Sequence, residues 1–222
     1  MADDTDRPLA KARRKLVESK ERWAREGRLL TGRAARPAEK RLPPGQRQVT
    51  NWPVLDLGIQ PNVPAEHWQL SIDGLVENPV TWDWATFRAQ PVFRDASDIH
   101  CVTAWSRFDN AWEGVSAKHI LATVRPKPEA RFVVFHSYDD YTTNLPLAEF
   151  DAEDVLLAHS WQGRPLPREH GGPVRAIVPR LYFWKSAKWI RRIEFLAADR
   201  SGFWEERGYH DHGDPWTEER YG

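Results

Sequence analysis

The sequence predicts an α+β domain, mainly β, with a basic helical arm in front of it. Three observations carry this. Trp68, Leu70 and Ile72 alternate with Gln69 and Ser71, the two-residue period of a half-buried strand. Residues 132–135 (Phe-Val-Val-Phe) and 176–178 (Ala-Ile-Val) are wholly apolar runs too short for helices. Predicted strands outnumber predicted helices and do not alternate strictly with them, which argues against a doubly wound sheet.

In chain order, residues 9–30 read first as a helix, because Leu9, Leu16, Trp23 and Leu30 recur at seven-residue intervals among charged residues. The apolar stripe is thin, so this helix belongs on a surface, and Gly27 weakens its end. Pro37, Pro43, Pro44 and Gly45 mark a linker. The expected organisation is an arm and linker at 1–47 and a body at 48–222. The strand at 68–72 closes in an Asp73-Gly74 turn. Ser116 caps a helix running to Val124, with Pro126 beyond its end. Residues 132–135 predict an interior strand. Residues 176–178, and Ile190 with Ile193 and Phe195, predict further strands.

The chain has 222 residues, enough to bury a substantial core. Its 12 tryptophans predict an aromatic core and keep an aromatic-rich binding module as an alternative. Net charge is zero but divided: residues 1–47 hold 14 Lys and Arg against 7 Asp and Glu, so the body is as acidic as the arm is basic. The arm is expected to fold back on its own body. No groove-reading motif points to nucleic acid, and no run approaches the ~20 apolar residues of a membrane span. Arg13-Arg14 is followed by charged residues rather than the apolar stretch of an export signal. A cytoplasmic location is therefore expected.

Cys101 is the chain's single cysteine. It cannot form an intrachain disulfide, so it is either a small buried hydrophobe or a chemical group. It lies in His100-Cys101-Val102-Thr103-Ala104-Trp105-Ser106. Three more stretches follow: Tyr141-Thr142-Thr143-Asn144-Leu145-Pro146-Leu147, Gly171-Gly172-Pro173-Val174-Arg175, and Lys185-Ser186-Ala187-Lys188-Trp189-Ile190. In this order they resemble the molybdopterin-binding domain of the sulfite oxidase superfamily. Within it, the chain looks most like bacterial sulfite-oxidase-like oxidoreductases related to the methionine-sulfoxide reductase catalytic subunit.

The resemblance implies a sulfite oxidase-type molybdopterin-binding fold, a molybdenum–molybdopterin cofactor and two-electron oxygen-atom transfer on a small or protein-borne S- or N-oxide. It puts the metal-ligand cysteine on Cys101, where a soft thiolate suits a high-valent metal. His100, next along an extended chain, would face away from the metal. Arg175 and Lys188 fall on cofactor-contacting positions, where a guanidinium fork and an ammonium suit a phosphate. Ser186 and Ala187 belong to the same wrapping segment. Ser137 stands where relatives carry threonine, and His170 where they carry asparagine. Asn51, Leu55 and Asp56 fall in the region that contacts the pterin near the start of the domain. Tyr141 matches a substrate-pocket region, and Arg107 after the metal loop is expected to attract an anionic substrate. The His210-Asp211-His212-Gly213-Asp214 tail fits no metal spacing and reads as structural. With one cysteine and no haem motif, the chain requires an external electron partner, a flavin or haem protein. A molybdenum-cofactor-carrying interaction subunit is the second alternative.

Overall fold

A computed structural model of the chain describes residues 41–58 and 60–222. The helix expected over residues 9–30 lies outside the described residues. In order, the described elements are β1 (Arg47–Gln48), β2 (Gln69–Gly74), β3 (Val80–Asp83), α1 (Trp84–Arg88), β4 (Phe93–Cys101), β5 (Trp105–Ser116), α2 (Ala117–Val124), β6 (Phe132–Ser137), β7 (Thr142–Pro146), α3 (Leu147–Phe150), β8 (Leu156–Trp161), β9 (Arg164–Pro165), β10 (Arg175–Ile177) and β11 (Ile190–Leu196). Strands dominate, as the sequence predicts. No helix among the described residues is long and apolar enough to cross a membrane.

The strands form two sheets. One runs β3-β2-β11-β6-β7, the other β1-β5-β8-β10 with β4 beside β5 and β9 beside β8. The expected alternation is seen in β2, where Leu70 and Ile72 are buried and Ser71 is not. β6 is interior, between β11 and β7. β11 is antiparallel to β6 and parallel to β2. The larger core gathers on this sheet around Trp68, Phe135, Ile193 and Phe195. Ser116 caps α2 by accepting the His119 N–H at 3.1 Å. The helix ends at Arg125, which takes a left-handed φ of 50°.

The β4–β5 hairpin positions the site, and the sequence reading did not resolve it. Asp95, Ser97 and His100 interrupt the apolar alternation of β4, so no two-residue period stands out. β4 pairs along one edge of β5, and β1 and β8 share the other. β1 straddles the expected boundary at 47/48. At Gly114 the register shifts, and a Cβ there would lie 1.9 Å from the Leu157 carbonyl oxygen. Only glycine allows this approach of β5 to β8. A second core of Trp52, Ile99, Trp105 and Trp112 packs around Cys101.

Candidate active site

β4 and β5 are joined by Val102-Thr103-Ala104. Ala104 adopts φ 68°, and its N–H closes on the Cys101 carbonyl at 3.1 Å. The turn leaves Cys101 as the last residue of β4, on the wall of a cavity of about 310 Å³. The sulfur lies 3.1 Å from Thr103 Oγ1. Burial pushes the Cys101 thiol up, against the hydrogen bonds of Thr103 and the charge of Arg220. His100 behaves as its strand position predicts. Its Nδ1 meets Ser106 Oγ at 2.8 Å, and its ring sits edge-on to Trp216.

Arg175, Ser186, Ala187 and Lys188 reach the same cavity. A Cβ on Gly171 would lie 2.9 Å from Lys188 Cβ and 3.1 Å from Arg175 Cβ, at a φ of 105°. Glycine thus lets two cationic residues close on one loop. Arg175 is buried, and its Nη1 and Nη2 donate to the carbonyls of His170 at 2.8 Å and Ser186 at 2.7 Å. Among the described residues no carboxylate pairs with it, and burial pulls its pKa down to about 9. Lys188 Nζ donates to the carbonyls of Leu55 at 2.7 Å and Glu169 at 3.1 Å. Burial, and then the charge of Arg175, pull the lysine down to about 8. Arg175, held only by carbonyls, is poised for an anion, because a buried charge without a counter-charge is costly, whereas the charges of Asp56, Asp139 and Glu169 partly balance Lys188. Ser186 Oγ accepts the Val178 N–H at 2.9 Å, and the Ala187 carbonyl accepts that of Ala176 at 2.8 Å. These bonds lock the wrapping segment to β10.

His170 stacks flat on Trp52, with ring centroids 3.8 Å apart at 4°. Burial, then Arg175 and Lys188, lower its pKa to about 4. Burial and Arg88 do the same to His159. Both rings are therefore neutral in the fold, where the unfolded chain would titrate near 6.5. Below that value the unfolded state binds protons that the fold refuses, so stability is lost as pH falls from about 6.5 towards 4. The melting temperature is expected to drop across this window, and replacing both histidines by glutamine to flatten the drop. An unchanged slope in that double variant would assign the acid loss to other groups.

Tyr141 is on the wall, but its Oη donates to the Trp184 carbonyl at 2.7 Å. Burial raises this phenol well above its usual pKa, so Oη keeps its proton at neutral pH. Trp184, Trp204 and Tyr209 continue the aromatic wall. Leu55 and Asp56 reach the cavity from the segment after Trp52. The Asp56 carboxylate accepts from the Gly58 N–H and Gln60, which lower its pKa.

Three expected residues are not on the wall. Asn51 is exposed beside Trp52. Ser137 is buried at the end of β6, and its Oγ has no hydrogen-bond partner among the described residues. It precedes by two residues Asp139, which does line the cavity. Arg107 shares the face of Trp105 but stands about 7 Å further along the strand. There its guanidinium lies 4.7 Å from the Trp161 ring centroid, and it donates to Asn110 and the Thr50 carbonyl. Arg107 is thus off the cavity wall, although its charge acts on His170, which is on it. Sequence reasoning in turn missed Trp52, Thr103, Asp139 and Trp184 as wall residues. Thr103 lies inside one recognised motif and Trp184 adjoins another, so both were legible in principle. Trp52 and Asp139 arrive from elements whose approach no local pattern announces.

These residues fit the expected pterin cofactor. A soft sulfur, a buried guanidinium lacking a carboxylate with a lysine beside it, aromatic walls and an orphaned buried hydroxyl two residues from the wall meet the needs of a metal dithiolene carrying a phosphate.

Comparison with known proteins agrees. The family model described as "Oxidoreductase molybdopterin binding domain" matches residues 57–204. The chain is 46% identical over 182 residues to the "Uncharacterized oxidoreductase YuiH" of Bacillus subtilis, covering 82% of this chain and 92% of that protein. It is 31% identical over 162 residues to the "Protein-methionine-sulfoxide reductase catalytic subunit MsrP" of Ralstonia nicotianae, covering 66% of this chain and 49% of that one. The chain thus spans about half the length of the latter. Among solved structures, the sulfane dehydrogenase SoxCD of Paracoccus pantotrophus shares the fold, with a TM-score of 0.58 and 22% identity over 63% of this chain and 40% of that chain.

Proposed function

Because the chain belongs to the oxidoreductase molybdopterin-binding domain family, within the sulfite oxidase superfamily, we propose that it catalyses oxygen-atom transfer on an uncharged S-oxide or N-oxide. The observation that carries this reading is the meeting of Cys101 with Arg175 and Lys188 in one cavity. When bound, the molybdenum–molybdopterin cofactor supplies two-electron redox chemistry at its metal. Cys101 would hold the metal, and Arg175 and Lys188 the cofactor's phosphate. Gly171, Ser186 and Ala187 bring those two cations together. His170, neutral and stacked on Trp52, offers a flat face and a single ring N–H rather than a third charge.

The rest of the wall bears on the substrate. With Arg175 and Lys188 committed to the cofactor, Tyr141, Trp184, Trp204 and Tyr209 enclose the remaining space. Aromatic faces exclude water and favour a neutral molecule, whereas a dianion such as sulfite needs several arginines. The name of the Ralstonia relative points to methionine sulfoxide, and an S-oxide suits this aromatic wall. Electrons would come from an external protein partner.

The test is elemental analysis and oxidised-pterin fluorescence on protein purified from a host that makes molybdopterin. Reduced-viologen assays with methionine sulfoxide, trimethylamine N-oxide and sulfite then follow. Near-stoichiometric molybdenum with turnover of an S- or N-oxide supports the proposal. Absence of both metal and pterin sinks it. Arg175→Met is expected to weaken cofactor retention through gel filtration by about tenfold or more, since charged hydrogen bonds contribute about 1.5–3 kcal/mol each. Arg175→Lys should fall between, keeping charge but losing the fork. Full retention in Arg175→Met would remove the phosphate role.

A further inference from the structure

The turn that presents Cys101 is held from two distant parts of the chain. The Cys101 carbonyl accepts Gln46 Nε2 at 3.0 Å, and the Ala104 carbonyl accepts the Arg47 N–H at 3.1 Å. The carbonyl between them, that of Val102, accepts Nη1 of Arg220. Arg220 is delivered by a tail that folds back on itself. Tyr209 and Tyr221 form an antiparallel bridge, and the His210 N–H donates to the Arg220 carbonyl at 3.3 Å. Glu218 adopts φ 56°, and its carbonyl accepts the Arg220 N–H at 2.7 Å. The guanidinium lies 5.0 Å from the Tyr182 ring centroid and 3.9 Å from Glu218 Oε1. Its side chain is only 19% exposed. The same tail is tied to the body by Lys185 through the Asp211 carbonyl at 2.5 Å, and by the Tyr182 N–H through the Gly213 carbonyl at 2.7 Å.

We propose that Arg220 is a positioning residue for Cys101: it fixes the Val102 peptide, and so the direction of the sulfur, while carrying a positive charge beside the metal-binding turn. This rests on the reading of Cys101 as metal ligand. A left-handed Ala104 makes the turn a conformation with few alternatives, and a charged donor on its middle carbonyl holds it more strongly than a neutral one. Groups that orient a ligand from behind tune the metal nearly as much as the ligand itself. A nearby positive charge also favours the reduced, less positive state of the metal. The tail, read from sequence as structural, thereby acquires a role in the chemistry.

The experiment compares Arg220→Met, Arg220→Lys and Tyr221→Ala with wild type, each purified with cofactor. Tyr221→Ala removes an exposed ring from the tail and keeps the backbone bridge that delivers Arg220. Four quantities are read: molybdenum content, the Mo(V) electron paramagnetic resonance spectrum, the midpoint potential, and amide exchange of residues 101–105. Arg220→Met is expected to keep its molybdenum, shift its g values, lower its potential, and exchange the Ala104 amide on the order of tenfold faster. Arg220→Lys should restore the potential more than the exchange rate. Tyr221→Ala should lower the melting temperature and leave the spectrum unchanged. A wild-type spectrum and exchange rate in Arg220→Met would overturn the proposal, as would the same shift in Tyr221→Ala. If Arg220→Met does not accumulate, Arg220→Lys with a wild-type spectrum and exchange rate overturns it. Wild-type protein devoid of molybdenum would instead sink the functional reading, and the exchange measurement on cofactor-free protein would still decide whether Arg220 holds the turn.

Discussion

Cys101→Ser is expected to lose turnover by far more than the roughly 10–100-fold that follows loss of a metal's outer-shell partners. The physical contrast lies in one atom. A thiolate is soft and is available near neutral pH once a metal competes for it, whereas a serine hydroxyl is hard and holds its proton. The substitution is nearly isosteric in a side chain that is only 6% exposed, so the melting temperature should stay close to wild type. Arg175 and Lys188 remain in place to hold the cofactor's phosphate. Pterin should therefore still co-purify in part, while molybdenum content falls or its spectrum changes. Wild-type metal, spectrum and rate in this variant would return Cys101 to the status of a small core residue.

The largest expected loss of stability follows from Glu205→Ala. Lys185 Nζ and Glu205 Oε1 are 2.6 Å apart, with both side chains fully buried. Lys185 also donates to the backbone and side-chain oxygens of Asn144, at 3.1 and 2.8 Å. Glu205 Oε1 accepts from Thr143 Oγ1 at 2.8 Å and from Trp184 Nε1 at 2.9 Å. Removing the carboxylate strands an ammonium whose pKa is already lowered by burial, at a cost of about 3–5 kcal/mol. Trp184 loses its anchor at the same time, so cofactor retention should fall with stability. Glu205→Gln, which keeps an acceptor for Trp184, should cost less. Replacing Lys185 and Glu205 together with Met and Leu should recover much of the loss, because it also removes the stranded charge. Denaturant titration of the three variants checks this. Equal losses in Glu205→Ala and in the double variant would show that the pair's charge is not what matters.

Much of the fold was legible because its evidence is local. The alternation of β2, the Ser116 cap of α2 and the apolar run in β6 each report a nearest-neighbour preference. The β4–β5 hairpin was not legible, because Asp95, His100 and Asn110 are buried polar residues. Their burial becomes intelligible only against the strands and side chains around them. For the site, the motifs marked Cys101, Tyr141, Arg175, Ser186, Ala187 and Lys188, and all of them line one cavity. That Arg107 stands off the wall was not legible, because a position in sequence does not say how far along a strand a side chain will stand. The tail's contact with the Cys101 turn was not legible, because Arg220, which makes it, belongs to no motif.

By itself the sequence determined a mainly β domain with one thiol, several cations at recognisable positions and an aromatic core. Composition, periodicity and short motifs are properties of neighbouring residues, and they survive without coordinates. Only the tertiary structure decided that Arg175 is buried with carbonyls alone as hydrogen-bond partners, that Lys185 meets Glu205, and that Arg220 reaches back 118 residues to Val102. Those facts depend on which groups lose water together, and desolvation is set by the packing of elements far apart in the chain.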